Sequence, residues 1–260
     1  MSTNREEAVK LKNEGNALFA AGNFKDAIPL YRKAQVVDPT YFAPYYNCGI
    51  CCLNIGAFDD AIKELTNAIL YNPGDRDSYY SRGEAYKAKD NRQEAIKDFD
   101  KAIEIDPAFG DAYFQRATVS DISTAEEVDL VVEKYYQKAL EYCDYNDEQK
   151  ALTYYNMGVS YSINECWGHA YAKFCTAVKL DPTVSDYFVQ KYLMLWWMND
   201  GKPNRDEPFK ILTAASKACK DAIDVLKKKA VRTEREEKQL IDAEAHLNKI
   251  EAEKKMCENI

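Results

Sequence analysis

The chain has 260 residues, 46% of them hydrophobic and 30% charged, with a formal net charge of −8. That balance suits a soluble globular chain and lacks the basic face that general nucleic-acid binding needs. Only 8 Pro and 10 Gly are present, few breakers for such a length, as an all-helical protein requires. No stretch approaches the roughly 20 apolar residues of a membrane helix. Residues 1–20 lack the basic, then apolar, then small-residue order of a secretory signal, and the 8 Cys are scattered or buried-looking. Reduced thiols and a cytoplasmic location are expected.

After a polar stretch at 1–7, one 34-residue pattern recurs over 8–41, 42–75 and 76–109. Gly15, Gly49 and Gly83 are 34 apart. Ala27, Ala61 and Ala95 keep that spacing, as do Ala34, Ala68 and Ala102, and Pro39, Pro73 and Pro107. A fixed period of this size denotes stacked supersecondary units. Gly and Ala belong where two antiparallel helices of one unit touch, because a larger side chain would force them apart. The aromatics Tyr31 and Phe99 are read as filling the gap to the next unit. Pro follows the second helix because it has no backbone donor to continue it.

A fourth unit, 110–150, is irregular. Gly83 to Gly158 and Ala102 to Ala177 are both 75 residues, seven more than two periods. Tyr136 and Ala139 suit its second helix three residues late, with Ser123 and Glu126 as candidate caps. The other four extra residues fall at 145–148. The fifth unit, 151–184, is regular again, with Tyr154, Gly158, Tyr161, Ala170, Phe174, Ala177 and Pro182. A helix at about 184–198 is apolar nearly all round, including Tyr187, Phe188, Val189, Tyr192, Trp196 and Trp197, so something should cover its outer side. After a Gly/Pro break at 199–208 come two long helices with thin apolar stripes on Lys/Glu-rich bodies. These either fold back on the Trp-rich helix or form a hairpin that pairs with another chain.

The landmarks resemble the tetratricopeptide repeat family. Leu11, Gly15, Leu18, Ala27, Tyr31, Ala34 and Pro39 carry the resemblance in the first unit, and Tyr79, Gly83, Tyr86, Ala95, Phe99, Ala102 and Pro107 in the third. The family implies an all-α, right-handed α-solenoid, here of five helix pairs, to which the apolar patterning adds a capping helix and a two-helix C-terminal extension. The expected domains are a solenoid over 1–202 and the extension over 203–260. It also implies a non-catalytic scaffold that binds extended peptide segments in a concave groove lined by the first helices.

Carried onto this chain, groove positions hold Lys12, Tyr46, Tyr80, Phe114 and Tyr155. The aromatics among them suit either peptide contact or packing between neighbouring units. Members of the family that bind heat-shock chaperone tails grip the terminal carboxylates with Lys and Asn on the first unit, Asn on the second, and Lys and Arg on the third. Lys12, Asn16 and Asn47 match that clamp, while its two basic positions on the third unit hold Asp77 and Ser81. Arg76 and Arg82 are adjacent but rotated by about 100° on a helix. Asp77, Glu84 and Asp111 make the middle of the groove acidic, which suits a ligand with Lys or Arg there. Asn156 repeats the Asn47 position in the fifth unit.

The chaperone-tail adaptor is therefore one implied version. A second is a signalling adaptor that binds a small GTPase through inter-repeat loops and the insertion in unit four. A third is structural, with 203–260 joining two copies or filling the groove. Cys48, Cys51 and Cys52 lack the second ligand pair of a metal site. His169 and His246 have no visible catalytic partner, and no phosphate loop or nucleophile elbow appears. No enzyme activity, metal or cofactor is expected.

Overall fold

A computed structural model describes residues 3–181, 184, 186, 187, 190, 191, 193, 194, 206–229 and 232–258. The chain divides into two compact units, 1–120 with 141–143, and 121–140 with 144–260. Each is described by itself.

The first unit contains three helix pairs and the start of a fourth. α1 (Thr3–Ala20) pairs with α2 (Phe24–Val37), α3 (Phe42–Asn54) with α4 (Phe58–Tyr71), and α5 (Arg76–Ala88) with α6 (Arg92–Ile105). Each pair also packs on the first helix of the next, and α7 (Gly110–Thr118) continues the series on α6. Ala27, Ala34, Ala61, Ala68, Ala95 and Ala102 are all fully buried. A Cβ on Gly15 would come within 2.7 Å of Tyr31, one on Gly49 within 2.6 Å of Leu65, and one on Gly83 within 2.7 Å of Phe99. The glycines are therefore tight crossings within a pair, as expected. Tyr31 and Phe99 seat under the glycine of their own pair, which corrects their assignment to the gap between units.

Helix ends follow the same ruler. α2, α4 and α6 stop at Asp38, Asn72 and Asp106, each immediately before Pro39, Pro73 or Pro107. Between the two helices of a pair the backbone turns through a left-handed residue. That residue is Gly22 (φ +76°), Gly56 (φ +74°) or Asp90 (φ +56°), and Glu165 (φ +57°) takes the place in the second unit.

In the second unit, α8 (Ala125–Val131), a π-helical segment (Val132–Tyr136) and α9 (Gln137–Tyr142) follow one another without a break. Their buried side reads Val128, Val131, Val132, Tyr135, Tyr136 and Ala139. A π-turn holds one residue more than an α-turn. α8 is capped by Thr124 and Glu127 in a reciprocal capping box, one residue beyond the expected Ser123 and Glu126. α10 (Asp147–Ile163) pairs with α11 (Trp167–Leu180). α10 has 17 residues against 13 in α3 and α5, so the four extra residues are an added N-terminal turn at 147–150, two residues beyond the expected 145–148. Asn146 and Gln149 close a second capping box there. A Cβ on Gly158 would lie 2.7 Å from Phe174, so this pair crosses like the first three. The Tyr161 hydroxyl donates to Asp129 at 3.0 Å and ties α10 to α8. The exposed His169 ring stacks on Tyr161 at 5.1 Å.

Of the expected capping helix, Tyr187 and Met194 are buried; Phe188, Val189, Tyr192, Trp196 and Trp197 lie outside the described residues, as does Pro182. α12 (Asp206–Lys227) and α13 (Glu234–Glu258) pack on each other through Ile223, Leu226, Leu240, Ala243 and Leu247. Lys220–Glu251, Lys227–Glu244 and Lys229–Glu236 pair across them, an order that makes the two helices an antiparallel hairpin. The basic run at 227–232 is thus met largely by glutamates of the hairpin itself, with Arg232 on Glu237. The side chain of His246 lies outside the described residues.

Candidate functional site: one face of the first helices

The expected site residues of the first unit sit on α1, α3, α5 and α7, and side-chain bonds join α1 to α3 and α5 to α7. Asn16 on α1 accepts from the Asn47 amide on α3 and from the Tyr31 hydroxyl, both at 2.9 Å. Both bonds reach the same Oδ1, so the Asn16 amide N–H groups stay available. Lys12, one turn earlier, is half-exposed and has no ion-pair partner among the described residues. Tyr46 and Tyr80 hold equivalent positions 34 residues apart, the Tyr46 hydroxyl on the side of Ser81 of α5 and the Tyr80 hydroxyl on the side of Gln115 of α7.

These tyrosines are also packed. The Tyr80 ring lies 5.8 Å from Phe99 and 5.1 Å from Phe109. Burial pushes the Tyr46 and Tyr80 hydroxyls up from their ordinary values. In the second unit, Tyr155 packs at 5.5 Å from Phe174 and 5.0 Å from Tyr187, and its hydroxyl is bonded to Asp186. Phe114 and Asn156 are half-buried, and Asn156 accepts from Ser160 through its backbone carbonyl. Tyr80 and Tyr155 thus each pack on the second helix of their own pair and on an aromatic that follows it, and both remain half-buried.

The acidic residues behave differently. Burial raises the Glu84 carboxyl above the ordinary value, and the Asp111 carboxylate adds to the effect, while Tyr80 and Lys87 pull the other way. Tyr80 donates to Glu84 at 3.4 Å. Lys87, one turn along α5, turns its ammonium to Gln115 at 2.7 Å and Thr118 at 2.9 Å. No cation lies within salt-bridge distance of Glu84 among the described residues. Asp77 stands 3.6 Å from Arg76, and Asp111 accepts from Cys143 at 3.5 Å.

Neither nearby arginine replaces the absent clamp cations. Arg82 makes a two-pronged pair with Asp98 at 2.8 and 2.7 Å and also reaches Thr66 at 3.0 Å. Arg76 is paired with Asp106 and lies 4.3 Å over the Phe109 ring. Asp98 is not recognisable as a partner from its position alone; its spacing of 16 from Arg82 becomes a contact only once α5 and α6 are paired. Cys48, Cys51 and Cys52 are buried, and burial pushes the Cys51 thiol up to about 12. Among the described residues no group of three or more His, Cys, Asp or Glu is placed to hold a metal ion, and no helix is long and apolar enough to cross a membrane.

Models of the tetratricopeptide repeat match residues 18–82 and 77–109. Residues 18–109 are tetratricopeptide repeats. Tetratricopeptide repeats are protein-interaction modules, and the helix pairs described above are their structural unit. Among solved structures, MamA is similar at 25% identity over 64% of this chain and 94% of that one, with a TM-score of 0.57. YrrB, a tetratricopeptide-repeat protein with an unusual peptide-binding site, is similar in fold at 21% identity, covering 77% of this chain and 98% of that one, with a TM-score of 0.58. The second repeat domain of human RPAP3, in complex with an HSP70 peptide, matches 45% of this chain and 98% of that one at 24% identity and a TM-score of 0.45.

Proposed function

We propose that this protein is a non-catalytic scaffold that holds an extended peptide along the face of α1, α3, α5 and α7. The Asn16–Asn47 pair grips the peptide backbone, and Tyr46, Tyr80 and Phe114 give it an apolar bed. The ligand carries a Lys or Arg side chain opposite Glu84, with Asp77 and Asp111 adding to the attraction. The observation behind this reading is that Glu84 is half-buried while Lys87, a cation one turn along the same helix, is engaged on α7. A carboxylate held from water in this way gains from a cationic partner.

The test is fluorescence polarisation with two labelled peptides of otherwise uncharged sequence, one carrying a central Arg and one a Glu. Saturable binding of the Arg peptide alone, weakened by Glu84→Gln and by Asn47→Ala, is expected. Equal affinity for both peptides, or none for either, rejects the reading.

A second reading is an adaptor for chaperone tails, supported by Lys12 standing without an ion-pair partner among the described residues, beside the Asn16–Asn47 pair. Against it stand Asp77 and the buried Ser81 at the third-unit positions. Saturable binding of a Glu-Glu-Val-Asp peptide that is lost in Lys12→Ala would favour this version over the first. Binding that depends on a small GTPase's nucleotide state would favour the signalling version.

A further inference from the structure

Residues 119–124 join α7 to α8 and carry three hydroxyl side chains. Two of these are engaged. The Ser120 hydroxyl accepts from Arg116 at 2.7 Å and donates to the Arg116 carbonyl at 2.9 Å. The Thr124 hydroxyl accepts the Glu127 N–H at 3.2 Å as the cap of α8. The third, Ser123, is exposed, and its hydroxyl has no partner among the described residues. Its own N–H is held by Glu127 at 2.9 Å, which fixes the backbone without occupying the side chain. The backbone before the helix is extended, with Thr124 at φ −131° and ψ 157°.

Within six residues of Ser123 along the chain every charged side chain is acidic. Asp121 precedes it by two residues, and Glu126 and Glu127 follow at three and four, all exposed. An enzyme that reads a short extended segment with a basic cleft meets here a free hydroxyl with carboxylates downstream. We propose that Ser123 is a phosphoacceptor for an acid-directed serine/threonine protein kinase. In the transfer, the Ser123 Oγ attacks the γ-phosphorus of ATP and a new O–P bond forms. The bond from that phosphorus to the β,γ-bridging oxygen breaks, ADP leaves, and the hydroxyl proton passes to the kinase's base. The product carries about 1.5 to 2 additional negative charges at neutral pH.

The experiment treats the full chain with casein kinase 2 and radiolabelled ATP and locates the phosphate by mass spectrometry. Label on Ser123, absent in Ser123→Ala and slowed severalfold in Glu126→Gln/Glu127→Gln, is expected. Gln can still accept the cap N–H groups, so that double variant keeps α8, and circular dichroism checks it. Label on Ser120 or Thr124 instead, no label above a kinase-free control, or a rate unchanged by the double variant would overturn the proposal.

Discussion

The Cβ that Gly83 lacks would stand 2.7 Å from Cε1 of Phe99, a ring that is itself fully buried. The ring has no room to swing away, so the helices must part. Gly83→Ala gains the helix propensity of Ala, about 1 kcal/mol, but overpacking a filled core costs about 1–3 kcal/mol. A net loss is expected, read as a lower denaturant midpoint. Gly168 on α11 is the control, since nothing lies within 4 Å of its missing Cβ. Gly168→Ala should leave stability unchanged or raise it by up to about 1 kcal/mol. Equal losses at the two sites would mean that contact with Phe99 is not the cause.

The turn residues Asp90 and Glu165 hold φ of +56° and +57°, where the first two pairs place glycine. A left-handed conformation costs an L-residue roughly 1–2 kcal/mol, offset in part by the larger unfolded-state freedom of glycine. Asp90→Gly and Glu165→Gly should each raise the thermal midpoint by a small, additive amount. A drop in either would show that its side chain holds the turn.

Asp98 is almost fully buried, and its side chain is held by both prongs of Arg82. Asp98→Ala strands a largely covered guanidinium and should cost about 3 kcal/mol, whereas replacing both partners with apolar residues should cost much less. The exposed Lys89–Asp59 pair differs: Asp59→Ala should change stability by less than about 1 kcal/mol. Urea titration of the three variants distinguishes the two environments.

Glu236 has its carboxyl depressed from 4.5 to about 2 by the Lys229 side chain first and then by the Thr233 N–H. A group whose folded value is depressed stabilises the fold above its unfolded value and loses that contribution as pH falls through the folded one. The turn of the α12–α13 hairpin should therefore loosen between about pH 4.5 and 2. An NMR titration of Glu236 should give a low value that rises in Lys229→Ala. An ordinary value in the unaltered protein would remove this acid-sensitive point.

Much of the helix-pair architecture is legible in the residues because the period forces it: only small residues fit where backbones cross, and proline marks each exit. The landmarks at 15, 49, 83 and 158 therefore led directly to the crossings. Less visible was anything set by partners across a pair. Tyr31 and Phe99 could point either way along the stack, and only the built pair shows them beneath their own glycines. The extra length of unit four was countable, but spacing alone does not distinguish a loop from an added turn of α10. At the candidate site, Asn16 and Asn47 were recognisable by position, whereas the diversion of Lys87 to Gln115 depends on where α7 lies against α5.

The π-segment Val132–Tyr136 has a consequence for how such arrays change length. An insertion inside a helix normally rotates everything downstream by about 100° and turns a buried stripe outward. A widened turn stores the surplus where it arises, so Val128 and Ala139 remain on a common inner side across it. Array proteins can thus gain single residues within a helix and keep their phase, without first confining the change to a surface loop.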